Sequence, residues 1–499
     1  MPTPQATKLL AELKTKPETY WIKRGEKMAM RLFKEMSERV PAYKNFLKKH
    51  GVSPKQIKSI ADFYKIPPIS KENYLKKYPL EKLCWDGSLK KQSWTISATS
   101  GSTGKPFYFP RTSEQNKQYA LIAEMYLETN FSIHNNSTLY VNAFPMGVWI
   151  GGIFTYEAIR LVAENGKYKL SIISPGINKH EVTNVIKNLG KNFDQIIIGS
   201  YGPFLKEILD EGLRQKINWK DYKLGFVFSA EGFSENFRDF VLKTCGSKNV
   251  YTTTLNHYGT VDLGTMSYET PVAIYVRREA IKISGLYKKL FNTQHKLPTL
   301  TQYLPDQFYF ESYKEQLYCS AYSGLPLVRY DLKDRGDIIT FKKLSTVWKD
   351  ADKNLKEEIK KAKLTKTLWQ LPFVYVHERS DFSISYFAFQ IYPQTIKNAL
   401  EFPGLEKLLT GKFTMRVEEN KNGKQKFIIY IELRQNVKSN KNLNSAVLSQ
   451  IITQLTKENS EYRKTREEYG KQTNPKIFLL PNGHKKYFQS GGKQKWVIK

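Results

Sequence analysis

Residues 181–202 read EVTNVIKNLGKNF followed without a break by DQIIIGSYG. In the first piece Val182, Val185, Ile186 and Leu189 recur at helical spacing. In the second, Ile196, Ile197 and Ile198 form a continuous apolar run that ends on Gly199 and Ser200. Such a run predicts a strand buried on both faces that opens into a Gly/Ser loop. The next segment repeats the design: KLGFVFSAEG (223–232) is again strand then loop, and a helix is expected after Ser234. Helices and apolar strands alternate in this way from about residue 115 onward, which predicts an α/β fold on a largely parallel sheet. In such sheets ligands sit beyond the carboxyl ends of the strands, where these loops lie.

Outward from this centre the pattern changes twice. Residues 20–50 carry Met28, Met30, Leu32, Phe33 and Val40 at helical spacing, with Pro41 ending the pattern. Beyond about residue 381, strands near 412–417 and 426–433, a helix near 443–457 and a short strand at 476–480 predict a small α+β unit. With 499 residues the chain is long enough for two or three cores.

Bulk composition excludes several classes. Hydrophobic residues make up 40% of the chain and aromatics 13%, enough to bury a sizeable core. No apolar run is long enough to span a bilayer, and the N-terminus has no apolar signal region. Cys84, Cys245 and Cys319 lie far apart, with neither zinc nor disulfide spacing, which fits a reducing cytoplasm. The seven histidines include no H-x-x-x-H pair. The net charge of +32 is spread along the chain, and its densest stretches, 349–366 and 457–471, mix both signs as solvated helix faces do. No nucleic-acid partner is therefore expected, although a positive field helps to gather anionic substrates.

The strongest chemical signal is TSGSTGKP (99–106), set between WTISA and FYFPRT. It is not a Walker A loop, because Pro106 follows the lysine and Thr99 stands where the first glycine is required. Thr99, Ser100, Gly101, Ser102, Thr103, Gly104 and Lys105 supply two glycines, four hydroxyls and an ammonium between β-like runs. Glycines let backbone N–H groups curl around phosphate oxygens, and the hydroxyls and ammonium add donors. A polar hairpin turn uses the same residue types; the full string with Lys105-Pro106 is more specific.

This string resembles the phosphate loop of the adenylate-forming superfamily, and further segments in the same order resemble phenylacetate–CoA ligases and their capsule-biosynthesis relatives. Ala230-Glu231-Gly232 resembles their adenine-contacting loop, and Tyr258-Gly259-Thr260-Val261-Asp262 their Tyr-Gly-x-Ser-Glu segment. PLVRYDLKD (326–334) resembles the stretch ending in a ribose-binding aspartate, here Asp334. Arg379-Ser380-Asp381, continuing to Tyr392-Pro393, resembles the hinge, and Ser490-Gly491-Gly492-Lys493 the segment with the adenylation lysine. VPAYKNFLKKHGVSPKQIKSIADFYKIPPISK (40–71) also looks like this subfamily, so the resemblance covers nearly the whole chain.

The resemblance implies a large multi-lobed N-terminal adenylation domain (1–380) and a small mobile α+β C-terminal domain (381–499) that turns about Asp381. It implies ATP and Mg²⁺, with CoA as co-substrate, and activation of a carboxylic acid to an acyl-adenylate. Lys493, Thr103 and Lys105 would be catalytic. The rest of the phosphate loop, Ala230, Glu231, Gly232, Tyr258, Gly259, Thr260, Asp334 and Arg379 would bind nucleotide. Asp262 would bind the metal through a hard oxygen. AFPMGVWI (143–150) and GSYGP (199–203) resemble stretches lining the acyl pocket, so Phe144, Met146, Trp149 and Tyr201 would enclose an aryl or arylacetic acid. The chain departs from the family at Asp262 (usually Glu), Glu378 and Ala388 (usually Gly) and Trp496 (usually Arg). A methyl at Ala388 would narrow the thiol's path, which leaves open an adenylating enzyme of a surface-polysaccharide pathway with a non-CoA acceptor. A non-catalytic basic binding protein is the third reading.

Overall fold

The computed structural model describes residues 3–98, 107–229, 232–283, 285–292, 297–379, 384–386, 389–419, 425–488 and 494–498. Its strands, in chain order, begin with a two-stranded hairpin of β1 (Thr95–Ala98) and β2 (Tyr108–Arg111). The main sheet is built from β3 (Thr138–Asn142), β4 (Leu170–Ile173), β5 (Gln195–Ser200), β6 (Leu224–Phe228), β7 (Thr254–Thr260), β8 (Gly264–Tyr268) and β9 (Thr299–Gln302). It is completed by β10 (Tyr309–Tyr313), β11 (Gln316–Ala321), β12 (Leu327–Ile339) and β13 (Phe373–Arg379). A second hairpin, β14 (Ile384–Tyr386) and β15 (Phe389–Ile391), precedes a three-stranded sheet of β16 (Leu409–Glu419), β17 (Gln425–Leu433) and β18 (Lys476–Leu480).

The large sheet has eleven strands in the order β10-β11-β12-β13-β9-β8-β7-β6-β5-β3-β4. Only the end running from β7 to β4 is parallel. From β7 to β10 every pairing is antiparallel. The expectation of a largely parallel sheet therefore holds for one end of it. A parallel neighbour needs a crossover of a dozen residues or more. The helices Ile150–Asn165, Lys179–Leu189, Gly202–Arg214 and Glu235–Cys245 supply such crossovers. After Thr260 the turns before β8, before β11 and before β12 are too short for one, so those strands reverse.

Local sequence accounts for the elements around the site. Ser234 caps the helix Glu235–Cys245 by accepting the Phe237 N–H, and Gly246 ends it in the left-handed region at φ 68°. Tyr201-Gly202-Pro203 leads directly from β5 into the next helix, with the proline in its first turn. Near the N-terminus the helix Glu18–Arg39 buries Met28, Leu32, Phe33 and Met36. Pro41 does more than end it: it stands at the start of a second helix, Pro41–Lys49, where its missing N–H has no cost.

The described C-terminal residues have their own apolar core, in which Ile396, Leu409, Phe413, Met415, Ile429, Ile431, Val447, Ile451 and Leu455 are all buried. β17 pairs antiparallel with β16 and parallel with β18, and the helix Lys441–Glu458 packs against this sheet. This unit meets the helix Gly202–Arg214 through one hydrogen bond and two ion pairs: Lys206 Nζ donates to the Leu409 carbonyl at 2.8 Å, Lys412 pairs with Glu207 at 2.5 Å, and Arg434 with Asp210 at 2.7 Å.

Candidate active site

A cavity of about 800 Å³ opens where β5, β6 and β7 end, and β12, β13 and the C-terminal unit close it from the other side. Its position is the one that the loops after the parallel strands dictate. Two buried carboxylates face it. Asp334, on β12, is 4% exposed and accepts a 2.7 Å hydrogen bond from the Tyr258 hydroxyl of β7. Asp262, in the turn after β7, is 6% exposed; its Oδ2 accepts from the Tyr330 hydroxyl at 2.7 Å and its Oδ1 lies 3.2 Å from Lys71 Nζ. Tyr258 of β7 thus holds the carboxylate on β12, and Tyr330 of β12 holds the carboxylate in the turn after β7. Asp334 is also paired in register with Arg379 across β12 and β13.

The loop after β6 is fixed from beneath and from across the cavity. Glu235 pairs with Arg238 at 3.0 Å, with Arg278 at 2.7 Å and with Arg277. Burial alone would raise the Glu235 pKa, but these three arginines hold it down to about 2. Arg277 also donates to the Phe233 carbonyl at 2.7 Å, and Arg238 spans to both oxygens of Glu269 at 2.9 and 3.0 Å. From the C-terminal unit, Lys397 donates to the Gly232 carbonyl at 2.8 Å, and Glu401 accepts the Ser234 N–H at 3.1 Å. Gly232 has little room: a Cβ there would sit 3.0 Å from Thr299 Oγ1.

The other end of the cavity is aromatic. Phe144 and Tyr201 meet edge to face with ring centroids 5.3 Å apart, and Trp149, Phe154 and Ile177 continue the wall. Met146 is the expected pocket residue that does not line it. Its sulfur is 3.5 Å from Asn142 Nδ2, and the side chain stands 36% exposed. Gly264, at φ 81°, closes the turn from β7 to β8, and a Cβ there would meet Phe154 at 2.7 Å.

The expected residues Gly232, Tyr258, Gly259, Thr260, Asp262, Asp334, Phe144, Trp149 and Tyr201 all line this one cavity. Thr260 also has a local role, since its hydroxyl accepts the Leu263 N–H at 3.1 Å. Thr99, Ser100, Gly101, Ser102, Thr103, Gly104, Lys105, Ala230, Glu231, Asp381 and Lys493 lie outside the described residues, as does the Arg379 side chain. The strands either side of 99–106 do pair antiparallel, Ala98 opposite Tyr108, and Ala98 lines the cavity. The segment after Lys493 is pinned on β16: Gln494 donates to the Phe413 carbonyl at 3.0 Å and the Met415 N–H to the Trp496 carbonyl at 2.8 Å.

Sequence reasoning assigned no role to Lys71, Tyr330, Lys397, His257 or Trp496, all of which line the cavity. Lys71 and Tyr330 sit inside stretches quoted above for their resemblance, so a signal was present. Lys397 and His257 carry no local signal; only the fold brings them to the cavity. For a divalent cation, Asp262 Oδ1 is the fitting donor, a buried oxygen that accepts no aligned hydrogen bond and faces the Lys71 ammonium at 3.2 Å, which a cation would have to displace or sit beside. A single carboxylate with substrate phosphates suits Mg²⁺. Among the described residues there is no cluster of three metal-ligating side chains, and no helix is long and apolar enough to cross a membrane.

No family model matches the chain. It is similar to a phenylacetate-coenzyme A ligase of Thermus thermophilus, 24% identical over 243 residues, which are 48% of this chain and 52% of that protein. The chain thus spans about half the length of the curated relative it matches. It also superimposes on 2-hydroxyisobutyryl-CoA ligase in the postadenylation state with an acyl-AMP bound, with a TM-score of 0.69 at 13% identity over 98% of this chain and 91% of that one. Against the same ligase in its thioesterification state, with 2-HIB-AMP and CoA, the TM-score is 0.55 at 13% identity and the same coverage. The chain has the fold of these acyl-adenylate-forming ligases.

Proposed function

We propose that this chain activates a carboxylic acid with ATP and passes the acyl group to the thiol of CoA. A carboxylate oxygen attacks the α-phosphorus, pyrophosphate leaves, and an acyl-adenylate forms. The thiolate sulfur then attacks the acyl carbon, and AMP leaves with the oxygen that bridged carbon and phosphorus. The observation that carries this reading is the pairing of two buried carboxylates, Asp334 and Asp262, on one cavity whose far wall is aromatic. Neither step needs a protein nucleophile; both need charge neutralisation and alignment.

We assign the roles as follows. Asp334, fixed by Tyr258, accepts the ribose hydroxyls. The loop ending in Gly232 packs the adenine, braced by Arg277 and Lys397. Asp262 would hold Mg²⁺, which neutralises phosphate charge when bound. Lys71, already paired with Asp262, is placed to add a positive charge beside it. Thr103 and Lys105 with the rest of residues 99–105 take the phosphates, and Lys493 aligns carboxylate and α-phosphate. Residues 1–380 and 381–499 act as two domains about Asp381. The acid lies between Phe144, Trp149 and Tyr201 and has an aryl group.

The test has two stages. Acid-dependent pyrophosphate release from ATP is expected with members of an aryl and arylacetic acid panel, and added CoA is expected to yield a thioester and AMP. Pyrophosphate release with no thioester would move the acceptor to a nucleophile other than CoA. No pyrophosphate with any acid would remove the ligase reading and favour a basic binding protein.

A further inference from the structure

The acyl end of the cavity is not purely apolar. His257, on β7, lines it and is only 4% exposed, yet its Nε2 has no hydrogen-bond partner. The ring rests against Tyr126 with centroids 4.8 Å apart and edge-on to Tyr119 at 6.3 Å. Tyr119 lines the same cavity, stacked on Phe154 at 4.4 Å, and its hydroxyl lies beside those of Thr155, Thr265 and Tyr126, of which the two threonines also line it. An imidazole nitrogen and a group of hydroxyls thus gather beside Phe154 in the aromatic wall. A pocket for a plain hydrocarbon gains nothing from this, because a buried polar atom without a partner is costly.

Charge on the ligand at this end is disfavoured. Burial pushes the His257 pKa down to about 3, so the ring is neutral. Arg111, a buried cation, stacks on Phe154 at 4.8 Å with one nitrogen on Ser97, and it does not line the cavity. The groups that do reach the cavity here are neutral donors and acceptors, matched to a neutral group that both gives and takes a hydrogen bond.

We propose that the acid carries a hydroxyl on its aryl group, remote from the carboxylate, and that His257 with Tyr119 reads that hydroxyl. The proposal rests on the acid-activating function above and deepens it, from an aryl acid to a hydroxyaryl acid. A site built to bond a hydroxyl discriminates strongly against the analogue that lacks it, because its own polar groups are then left unpaired.

The experiment uses the full chain and matched probes: phenylacetate, 3-hydroxyphenylacetate and 4-hydroxyphenylacetate, with benzoate and its hydroxylated counterparts. The readout is the ratio of kcat/KM for pyrophosphate release, hydroxylated over unsubstituted. The wild-type ratio is expected to be tenfold or more for at least one ring position. His257→Phe and Tyr119→Phe should each bring it towards one, and His257→Gln, which keeps a donor and an acceptor, should retain part of it. A structural role would slow both acids equally and leave the ratio unchanged, and that result would overturn the proposal. So would a wild-type preference for the unsubstituted acids, with acid activation itself intact. If no acid releases pyrophosphate, this proposal and the function it rests on fall together. Should His257→Phe fail to fold, the ratios of Tyr119→Phe and His257→Gln decide the question in its place.

Discussion

At the scale of single residues, Asp334 and His257 show opposite uses of burial. Asp334 is buried with a donor already on one oxygen, so its charge is positioned for a polar ligand at little cost. Asp334→Ala should raise the KM for ATP by ten- to a hundredfold, since a hydrogen bond to a charged group is worth about 1.5–3 kcal/mol. Tyr258→Phe, which keeps the carboxylate and removes only its support, should raise it less; steady-state kinetics with varied ATP checks both. His257 has no support for its charged form. Its pKa falls from 6.5 to about 3 through burial, so between those values the unfolded chain binds a proton that the folded chain does not. Stability should therefore fall as pH drops below 6.5, by up to about 1.4 kcal/mol per pH unit from this one group. The urea midpoint measured from pH 7 to pH 5 should show a slope that His257→Phe removes.

At the scale of elements, the helix Glu235–Cys245 anchors the loop before it through a network with hardly any solvent. Arg238 has a fully buried side chain, and Glu235 has three guanidinium partners. Removing one partner of a buried pair leaves an uncompensated charge, at about 3–5 kcal/mol. Glu235→Ala should lower the unfolding free energy by an amount of that order, read from urea denaturation. The loop from Ser229 to Ser234 should lose its brace, and ATP affinity should fall with it. The parallel strands and their helices were legible because each is a short apolar run or a 3.6-residue period between loop residues. The antiparallel end was not, because strands such as β8 and β9 bury hydroxyls: Ser267 and Thr301 bond each other at 2.8 Å inside the sheet. Polar residues that pair only after folding erase the pattern that periodicity reads. The site divides likewise. Tyr258, Asp262 and Asp334 stand in motifs, whereas Lys397 reaches Gly232 from 165 residues away and nothing near it in sequence marks the contact.

At the scale of the whole molecule, the C-terminal unit closes the cavity with Lys397 and Trp496 and grips the helix Gly202–Arg214 through Lys412 and Arg434, while Lys206 of that helix donates to the Leu409 carbonyl. If the chain carries out the proposed two-step reaction in this cavity, the closure has to be reversible. If Lys493 serves adenylation and Asp381 the turn, Lys493→Ala should lose acid-dependent pyrophosphate exchange yet still turn over a supplied acyl-adenylate. Asp381→Pro should do the reverse, because a φ fixed at about −65° removes a rotation that a hinge must absorb. Loss of exchange in Lys495→Ala or Lys485→Ala, with Lys493→Ala active, would shift the register of the C-terminal motif. The central claim, that a carboxylate attacks the α-phosphorus, is tested most directly by supplying the acid labelled with ¹⁸O in its carboxylate and weighing the nucleotide released. The account predicts AMP carrying one ¹⁸O atom, with pyrophosphate as the other product; unlabelled AMP, or ADP with phosphate, would contradict it.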